Sequence, residues 1–442
     1  MSAGPRVHQV LAPRVHQVLA TLSYGDAIGN EVLGIQRVLR AQGFTSDIFV
    51  ETAHPQLEPL TRDYRELPSA VGADDLLIHH LSIGSKASRI SYALPARMLL
   101  VYHNITPPEY FVGVNKELVE QCYLGRRELT LYARRCELAA GDSEFNRQEL
   151  ETLGFSPTAV LPVVPDFAHL DVTPNAFAVR DFDDDWTNIL FVGRVIPNKR
   201  FDDLIRFFHA YKARYNPRSR LLLVGSSVGF ENYRTQLHRL IARLGTQDVY
   251  MPGHIPNEEL AAFYDVADLF LSASEHEGFC VPLIEAFYKD IPVLAYAAAA
   301  VPWTMHGGGV LYEDKDPAAV AALMDVILSD SELREKVLDT QDAALDRLLA
   351  EDFSGTLVRL VRQALDAPHR EPAVAFDFWQ QVDSYERLKA LKKRRPALFE
   401  ALPLPEATGQ AEPRRSPEGE GGRPEVREEV SEREASAEGP DR

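Results

Sequence analysis

The 442-residue chain has few cysteines, no long apolar run and no excess of basic residues, and each shortage excludes a class of protein. Its three cysteines lack C-x-x-C spacing, which excludes a disulfide framework and indicates reduced thiols. No apolar run approaches the ~20 residues of a membrane span, and Arg6 and Arg14 interrupt the apolar stretches that a signal peptide would need. A formal net charge of −18 argues against a nucleic-acid binder. We therefore expect a cytoplasmic protein.

Both ends of the chain carry sequence that we do not assign to a folded domain. The segment PRVHQVLA at residues 5–12 is repeated without change at residues 13–20, and only the second copy continues into an apolar strand. Residues 1–15 are therefore interpreted as a duplicated extension. Residues 366–402 contain an amphipathic helical pattern at 376–391. Residues 403–442 are rich in Glu, Pro, Gly and Arg, a composition that predicts a disordered acidic tail.

Between these ends, apolar strands alternate with amphipathic helices in two consecutive series. The first series predicts a domain over residues 16–170, and the second a domain over residues 187–365, with an acidic, proline-containing linker at 171–186. We predict strands over residues 46–50, 76–79, 99–103, 139–143, 160–164, 187–192, 220–225, 249–251, 269–272 and 292–296, after a first strand that ends at Leu22. Such alternation implies parallel sheets that are covered by helices on both faces.

Two cations follow the first strand of the second series. The strand ends at Gly193, and Arg194 and Lys199 flank the turn into the next helix. Arg can donate two hydrogen bonds to phosphate oxygens, and Lys supplies a compact charge. Since ligands of open α/β sheets bind at the carboxyl ends of strands, this pair predicts a diphosphate site. A solvated basic loop is the alternative.

Two glutamates follow a later strand of the same series. Glu277 lies in the loop after strand 269–272, and Pro282 is expected to open a helix with Glu285 in its first turn. A carboxylate can accept hydrogen bonds from two vicinal hydroxyls, so two carboxylates at one edge of a crevice suit a sugar nucleotide. The alternative is that Glu285 caps a helix and Glu277 is only exposed.

Together these segments resemble the GT-B family of retaining glycosyltransferases, family GT4. The resemblance consists of Gly-Arg-x4-Lys after one strand and Glu-x7-Glu with an internal Gly-Phe and Pro after another, supported by segments 253–255 and 307–312. It is specific over about residues 187–345 and weaker over 16–165. It implies an α/β fold of two Rossmann-like domains, each a doubly wound parallel sheet, that face each other across a cleft.

The resemblance also implies roles for individual residues. Arg194 and Lys199 would bind the diphosphate of the donor, Glu277 would act near the reacting carbon, and Glu285 would bind the ribose hydroxyls. His103 matches a histidine that projects into the cleft and would also be catalytic. The remaining implied residues border the donor or form a loop over the phosphates and the acceptor: Gly193, Gly278, Phe279, Gly253 and Ile255 for the donor, and Gly25, Asp26, Gly29 and Asn30 for the loop.

No metal or cofactor is expected. His79 and His80 end the strand next to that of His103, but no carboxylate stands at ligand spacing from them. The acidic run at 181–185 contains the Asp-x-Asp letters of metal-dependent transferases, yet it precedes a strand and so lies roughly 15–20 Å from the carboxyl-end crevice, at ~3.3 Å per residue. Arg194 and Lys199 are therefore expected to replace a cation.

The predicted activity is transfer of a sugar from a nucleotide-sugar donor to an acceptor hydroxyl, with a glycan or lipid-linked acceptor in polysaccharide or glycoconjugate synthesis. Peripheral association with the inner face of a membrane is compatible with this prediction, and the oligomeric state is left open. The alternatives are a sugar-nucleotide epimerase or a phosphorylase of similar architecture, or a non-catalytic sugar-nucleotide-binding scaffold. A dinucleotide dehydrogenase is disfavoured because no strand is followed by G-x-G-x-x-G.

Overall fold

The computed structural model describes residues 14–23, 25–163, 165–370 and 392–401. Residues 1–13 of the predicted extension, the whole of the predicted helix at 376–391 and the acidic tail therefore lie outside the described residues.

The first half of the chain forms a seven-stranded sheet in which all pairings are parallel. Its strand order is β3-β2-β1-β4-β5-β6-β7, so the order reverses beside β1. This reversal places the crevice for a ligand at the carboxyl ends of β1 and β4. The strands are β1 (Val15–Leu22), β2 (Ile48–Ala53), β3 (Thr61–Asp63), β4 (Leu76–Leu81), β5 (Arg97–Tyr102), β6 (Leu138–Gly141) and β7 (Thr158–Val160).

Helices connect these strands, and several begin at a side chain that caps free backbone N–H groups. Asp26, Ser85, Asn115 and Ser143 each accept a hydrogen bond from an N–H in the first turn of the helix that follows. The helices are α1 (Ala27–Ala41), α2 (Leu67–Ala70), α3 (Lys86–Tyr92), α4 (Lys116–Tyr132) and α5 (Glu144–Thr152).

The second half forms a six-stranded parallel sheet of order β10-β9-β8-β11-β12-β13. Its strands are β8 (Thr187–Val192), β9 (Ser219–Val224), β10 (Val249–Gly253), β11 (Leu269–Ser272), β12 (Val293–Tyr296) and β13 (Val310–Tyr312). Its helices are α6 (Ala176–Phe182), α7 (Phe201–Arg214), α8 (Glu231–Leu244), α9 (Asn257–Asp265), α10 (Val281–Tyr288), α11 (Val301–Thr304), α12 (Pro317–Ser329) and α13 (Ser331–Leu349). The predicted fold class, two Rossmann-like parallel-sheet domains, is confirmed.

The chain then returns to the first sheet. Helix α14 (Phe353–Asp366) buries Leu357, Leu360 and Val361 in the same apolar cluster as residues of β1, β4, β5 and β6. It covers a sheet face that would otherwise be exposed, which a parallel sheet does not tolerate. Our assignment of residues up to 365 to the second domain is therefore wrong for this helix. A short helix, α15 (Pro396–Ala401), follows, and the ion pair of Arg395 with Glu109 (2.8 Å) ties its start to the first domain.

Some predicted boundaries shift for identifiable reasons. Strand β7 ends at Val160 rather than continuing to 164, because Pro162 has no N–H to donate to a sheet. The short edge strands β3 and β13 were not predicted, since three residues carry no periodic pattern. Within the described ranges, none of the helices combines the length and apolar character that crossing a membrane requires.

The acidic segment before β8 is partly helical and packs on the second domain. Helix α6 occupies much of the predicted linker, and the ring of Phe182 lies 5.3 Å from that of Phe263. Asp184 and Asp185 form ion pairs with Arg220 and Arg218. These arginines lie at the amino end of the sheet, so the Asp-x-Asp letters are far from the carboxyl-end crevice, as predicted.

Candidate active site

Arg194 stands just beyond the carboxyl end of β8 with its side chain exposed. The chain turns at Gly193, whose N–H donates to the carbonyl of Val224 on β9 (2.9 Å). The guanidinium carbon of Arg194 lies 5.9 Å from the centre of the Phe230 ring. In the described part of the chain, no carboxylate lies within ion-pairing distance of Arg194, although Asp26 of the first domain is near enough to interact with it electrostatically. This cation is therefore available to an anionic ligand.

Lys199 and Glu277 form a shielded ion pair beside Arg194. The Lys199 Nζ donates to both oxygens of Glu277, at 2.5 and 2.7 Å, and the two side chains are only 15% and 7% exposed. Burial lowers the pKa of the Lys199 ammonium, but the Glu277 carboxylate outweighs this effect and the pKa is raised. Two predicted site residues from separate motifs thus meet where adjacent strands β8 and β11 end.

Glu285 has both carboxylate oxygens in hydrogen bonds. Oε2 accepts a hydrogen bond from the Tyr264 hydroxyl (2.6 Å), and Oε1 lies 3.0 Å from His169 Nε2, a contact that raises the pKa of His169. Helix α10 begins after Cys280, so Pro282 is its second residue and Glu285 lies in its second turn. The prediction of Glu285 in the first turn is therefore wrong, and the helix dipole supports its charge less than we expected.

Gly278 joins the two domains by close backbone contact. Its carbonyl accepts hydrogen bonds from Ser143 Oγ (2.9 Å) and Asn146 Nδ2 (3.4 Å) of the first domain. A Cβ at this position would lie 2.7 Å from the backbone oxygen of His103, so only glycine allows this approach. Phe279 is buried in the core rather than open to the cleft. The structure thus shows an interdomain contact at Gly278, whereas sequence reasoning assigned it to the donor.

The predicted loop of the first domain leads into the N-terminus of α1. Asp26 caps this helix by accepting a hydrogen bond from the Gly29 N–H (2.6 Å), and Asn30 is exposed in the first turn. A Cβ on Gly29 would lie 2.3 Å from the Ser23 carbonyl, so the tight turn requires glycine. Gly25 has a φ of +73°. The N-terminus of α1 therefore lies just after the carboxyl end of β1, with the Asp26 carboxylate as its cap.

Gly253 and Ile255 follow β10 at the same sheet edge. The carbonyl of Gly253 accepts a hydrogen bond from the Gly225 N–H (2.9 Å), which links the ends of β10 and β9. Ile255 is mostly buried in the core. Among the described residues, neither Gly253 nor Ile255 forms a hydrogen bond with Glu277 or Glu285, so their assignment to the donor stays a prediction.

His103 does not project a free nitrogen into the cleft. Its side chain is 1% exposed, with Nε2 2.9 Å from His80 Nδ1 and Nδ1 2.9 Å from Asp142 Oδ2. Burial lowers the pKa of His103, but the carboxylates of Asp142 and Glu31 outweigh it and raise the pKa to about 9. The expectation of a ring nitrogen open to substrate is therefore not met. Glu31 and Asp142 reach His103 from other elements, so the spacing of residues along the chain does not exclude a metal here.

Sequence reasoning missed a polar link between the domains. Asn104 has a left-handed backbone (φ 67°), its Oδ1 lies 2.7 Å from His276 Nε2, and its Nδ2 donates to Asn146 Oδ1 (3.0 Å). Burial lowers the pKa of His276 to about 4, so this histidine is neutral. Asn104 and Arg194 each follow a predicted strand within two residues, and Asp142 lies at the end of the predicted strand 139–143. That position is the signal that could have identified them.

Comparison with known sequences gives the class of the second domain. Residues 172–340 match the family described as "Glycosyl transferases group 1". D-inositol 3-phosphate glycosyltransferase of Geodermatophilus obscurus is 33% identical over 225 residues, which cover 48% of this chain and 49% of that protein. O-antigen chain mannosyltransferase B of Escherichia coli is 28% identical over 148 residues, covering 33% and 38%. The chain spans about half the length, or less, of these curated relatives.

Comparison with solved structures concerns the fold as a whole. Sucrose-phosphate synthase from Thermosynechococcus elongatus matches with a TM-score of 0.61 at 19% identity, over 80% of this chain and 99% of that one. The Anabaena protein HepE in complex with UDP-glucose matches with a TM-score of 0.61 at 17% identity and the same coverage.

Two facing parallel-sheet domains with these structural neighbours define the GT-B fold. Within that fold, most of the second domain matches the group 1 glycosyl transferase family, and the predicted resemblance to the GT-B glycosyltransferases is confirmed.

Proposed function

We propose that the protein is a glycosyltransferase that moves a sugar from a nucleotide-sugar donor to an acceptor hydroxyl. The observation that carries this proposal is the grouping of Arg194, Lys199 and Glu277. Two cations lie near enough to repel each other, and Glu277 neutralises only Lys199. Because adjacent like charges are unfavourable, the site favours an anion beside Arg194. The diphosphate of a nucleotide sugar supplies such an anion.

In the proposed reaction, the bond between the anomeric carbon and the diphosphate oxygen breaks, and the acceptor oxygen forms a bond to the same carbon. The acceptor proton passes to the departing diphosphate, so the new bond forms on the face that the diphosphate leaves and the configuration is retained. Arg194 and Lys199 stabilise the charge that grows on the diphosphate, as preorganised cations do, and no metal ion is needed there. Glu277 holds Lys199 in place and accepts hydrogen bonds from the transferred sugar, while Glu285 binds the ribose.

Contact between the domains supports a closed reaction site. Gly278 and Asn104 join the loops at the ends of β5, β6 and β11. Such closure excludes water, which would otherwise hydrolyse the donor. We further propose a glycan or lipid-linked acceptor, since one similar protein is named an O-antigen chain mannosyltransferase. The three buried unpaired thiols suit a cytoplasmic setting, and we place the acceptor at the inner face of the membrane.

Binding followed by turnover tests this proposal. A panel of nucleotide sugars is screened by thermal shift, and the stabilising donor is then incubated with candidate glycan acceptors while nucleoside diphosphate release and product are followed. We expect one donor to stabilise the protein and to be consumed only with acceptor. Isomerisation of the donor without acceptor would instead indicate an epimerase. Binding without any turnover would indicate a scaffold, and no stabilisation by any nucleotide sugar would reject the proposal.

A further inference from the structure

A buried polar cluster in the first domain is not used by the proposed transfer reaction. Glu31 lies on α1, His103 follows β5, and Asp142 follows β6. The Nδ1 atom of His103 is 2.9 Å from Asp142 Oδ2 and 3.7 Å from Glu31 Oε2. One donor atom from each of the three side chains lies within 4.8 Å of the others. Three residues from distant parts of the chain therefore converge on one point.

The hydrogen bonds behind His103 determine which of its nitrogens is free. Gln17 Nε2 donates to the Val32 carbonyl (3.1 Å), so Gln17 Oε1 accepts the proton of His80 Nε2 (2.9 Å). A neutral imidazole that carries its proton on Nε2 accepts at Nδ1, so the Nδ1 of His80 is an acceptor. That Nδ1 is 2.9 Å from His103 Nε2, which must therefore carry a proton. Only Nδ1 of His103 remains, and it faces the two carboxylates.

A series of hydrogen bonds such as this one, from Gln17 through His80 to His103, orients histidine ligands in metal proteins. A ligating histidine donates its second N–H to a fixed acceptor, which sets the tautomer and holds the ring. For tetrahedral Zn²⁺ with bonds of about 2.0–2.1 Å, neighbouring ligand atoms are about 3.3 Å apart. The observed separations of 2.9 and 3.7 Å lie on either side of this value.

The second oxygens of both carboxylates lack partners. Glu31 Oε1 and Asp142 Oδ1 are buried, and no hydrogen-bond partner is present for either among the described residues. The two side chains are only 4% and 8% exposed. Buried polar atoms without a partner are costly and point to an absent ion or water. One divalent ion would neutralise both buried carboxylates at once.

We propose that Glu31, His103 and Asp142 bind one divalent first-row transition-metal ion, with Zn²⁺ the ion that best suits one imidazole and two carboxylates. Three protein ligands leave one coordination position for water or another ligand. All three ligands belong to the first domain, whereas the proposed diphosphate site is formed by Arg194 and Lys199 of the second domain. The proposal therefore does not depend on the proposed transfer activity.

Metal titration of the full chain tests this site without any activity assay. Protein dialysed against a chelator is titrated with Zn²⁺ by calorimetry and with Co²⁺ by visible absorption. We expect uptake of one equivalent, visible bands of four- or five-coordinate Co²⁺, and much weaker binding of Mg²⁺. Glu31→Gln and Asp142→Asn preserve the shape of the side chain but each remove one of the three charged or neutral ligands. Each variant should weaken Zn²⁺ binding by at least about 100-fold.

Two further variants separate ligation from general effects of burial. Glu128→Gln removes a buried carboxylate of the same domain outside the cluster and should leave Zn²⁺ binding unchanged. His80→Phe keeps all three ligands but frees His103 Nε2, and should weaken Zn²⁺ binding by about 10–100-fold. If the dialysed wild-type protein takes up no stoichiometric Zn²⁺ or Co²⁺, the proposal is wrong and the cluster holds protons instead. Equal Zn²⁺ binding by folded Glu31→Gln and Asp142→Asn variants would overturn it as well.

Discussion

Lys199 donates to both carboxylate oxygens of Glu277, at 2.5 and 2.7 Å, although the residues belong to different βα units of the second domain. Each follows a strand of the same sheet, β8 for Lys199 and β11 for Glu277, and these strands are neighbours. The ion pair therefore couples the stability of the domain to the proposed chemistry, and the two effects can be separated by choosing the substitution.

Glu277→Gln should reduce turnover more than donor binding. The amide keeps the shape of the side chain but removes the negative charge. That charge pairs with Lys199 and, in the proposed reaction, accepts hydrogen bonds from the transferred sugar. We expect kcat to fall by roughly 10²–10³-fold, the usual effect of removing one stabilising group, while the Kd for the donor changes by less than about tenfold. Steady-state kinetics and calorimetry with the same nucleotide sugar check this. A large loss of affinity with kcat intact would move Glu277 from the reacting centre to the binding of the donor.

Lys199→Met should destabilise the protein because it leaves the Glu277 carboxylate buried without a partner. We expect a loss of about 3 kcal/mol in the free energy of unfolding, the lower end for breaking a buried ion pair. The double variant Lys199→Met with Glu277→Leu removes both charges and should recover most of that loss. Urea unfolding of the two variants and the wild type measures the difference. A double variant no more stable than Lys199→Met would show that the pair is not the source of the effect.

Arg194→Ala should weaken donor binding without changing stability. Its side chain is exposed, so removing it leaves no buried group unpaired. A hydrogen bond to a charged group contributes about 1.5–3 kcal/mol, which corresponds to a Kd increase of roughly 10–100-fold. Calorimetry with nucleotide sugar and with nucleoside diphosphate measures it. Arg218→Ala, an exposed arginine at the amino end of the sheet paired with Asp185, is the matched control and should leave the Kd unchanged. An unchanged Kd in Arg194→Ala would refute the diphosphate site.

The parts of the site that sequence could predict are those that follow from strand order alone. In a parallel sheet all carboxyl ends lie on one edge, so residues placed just after strands, such as Arg194 and Glu277, are brought to that edge. The partners that side chains choose there depend on tertiary packing. The contacts of Glu285 with Tyr264 and His169, and of His103 with Asp142, join residues with no common period. Helix α14 has a clear amphipathic pattern, but the pattern does not say which sheet its apolar face covers.

Gly278→Ala should impair closure of the domains rather than donor binding. The added Cβ would meet the His103 backbone oxygen at 2.7 Å, and neither backbone can move away without opening the contact. We expect a stability loss of about 1–3 kcal/mol, as for other overpacked positions, and a fall in kcat with the donor Kd nearly constant. Gly34→Ala on α1, where the nearest atom is 3.9 Å away, is the control and should be neutral or slightly stabilising. Loss of donor affinity with unchanged stability would instead return Gly278 to the donor site.

The contact of His169 with Glu285 should make stability depend on pH in one direction. The hydrogen bond to Glu285 raises the pKa of His169 in the folded protein above its ordinary value of 6.5, despite partial burial. The stabilisation is therefore fully present below the unfolded pKa and is lost as pH rises through the folded pKa. The difference in Tm between wild type and His169→Asn should be largest near about pH 6 and should shrink towards about pH 9.

Tyr264→Phe provides the control for this pH dependence. It removes the other hydrogen bond to Glu285 (2.6 Å), and burial raises the pKa of Tyr264 well above the range in which His169 titrates. Its Tm deficit relative to wild type should therefore stay constant between about pH 6 and pH 9. Scanning calorimetry of the three proteins across this range measures both differences. A deficit of His169→Asn that is constant or grows with pH would show that His169 is not the charged partner of Glu285.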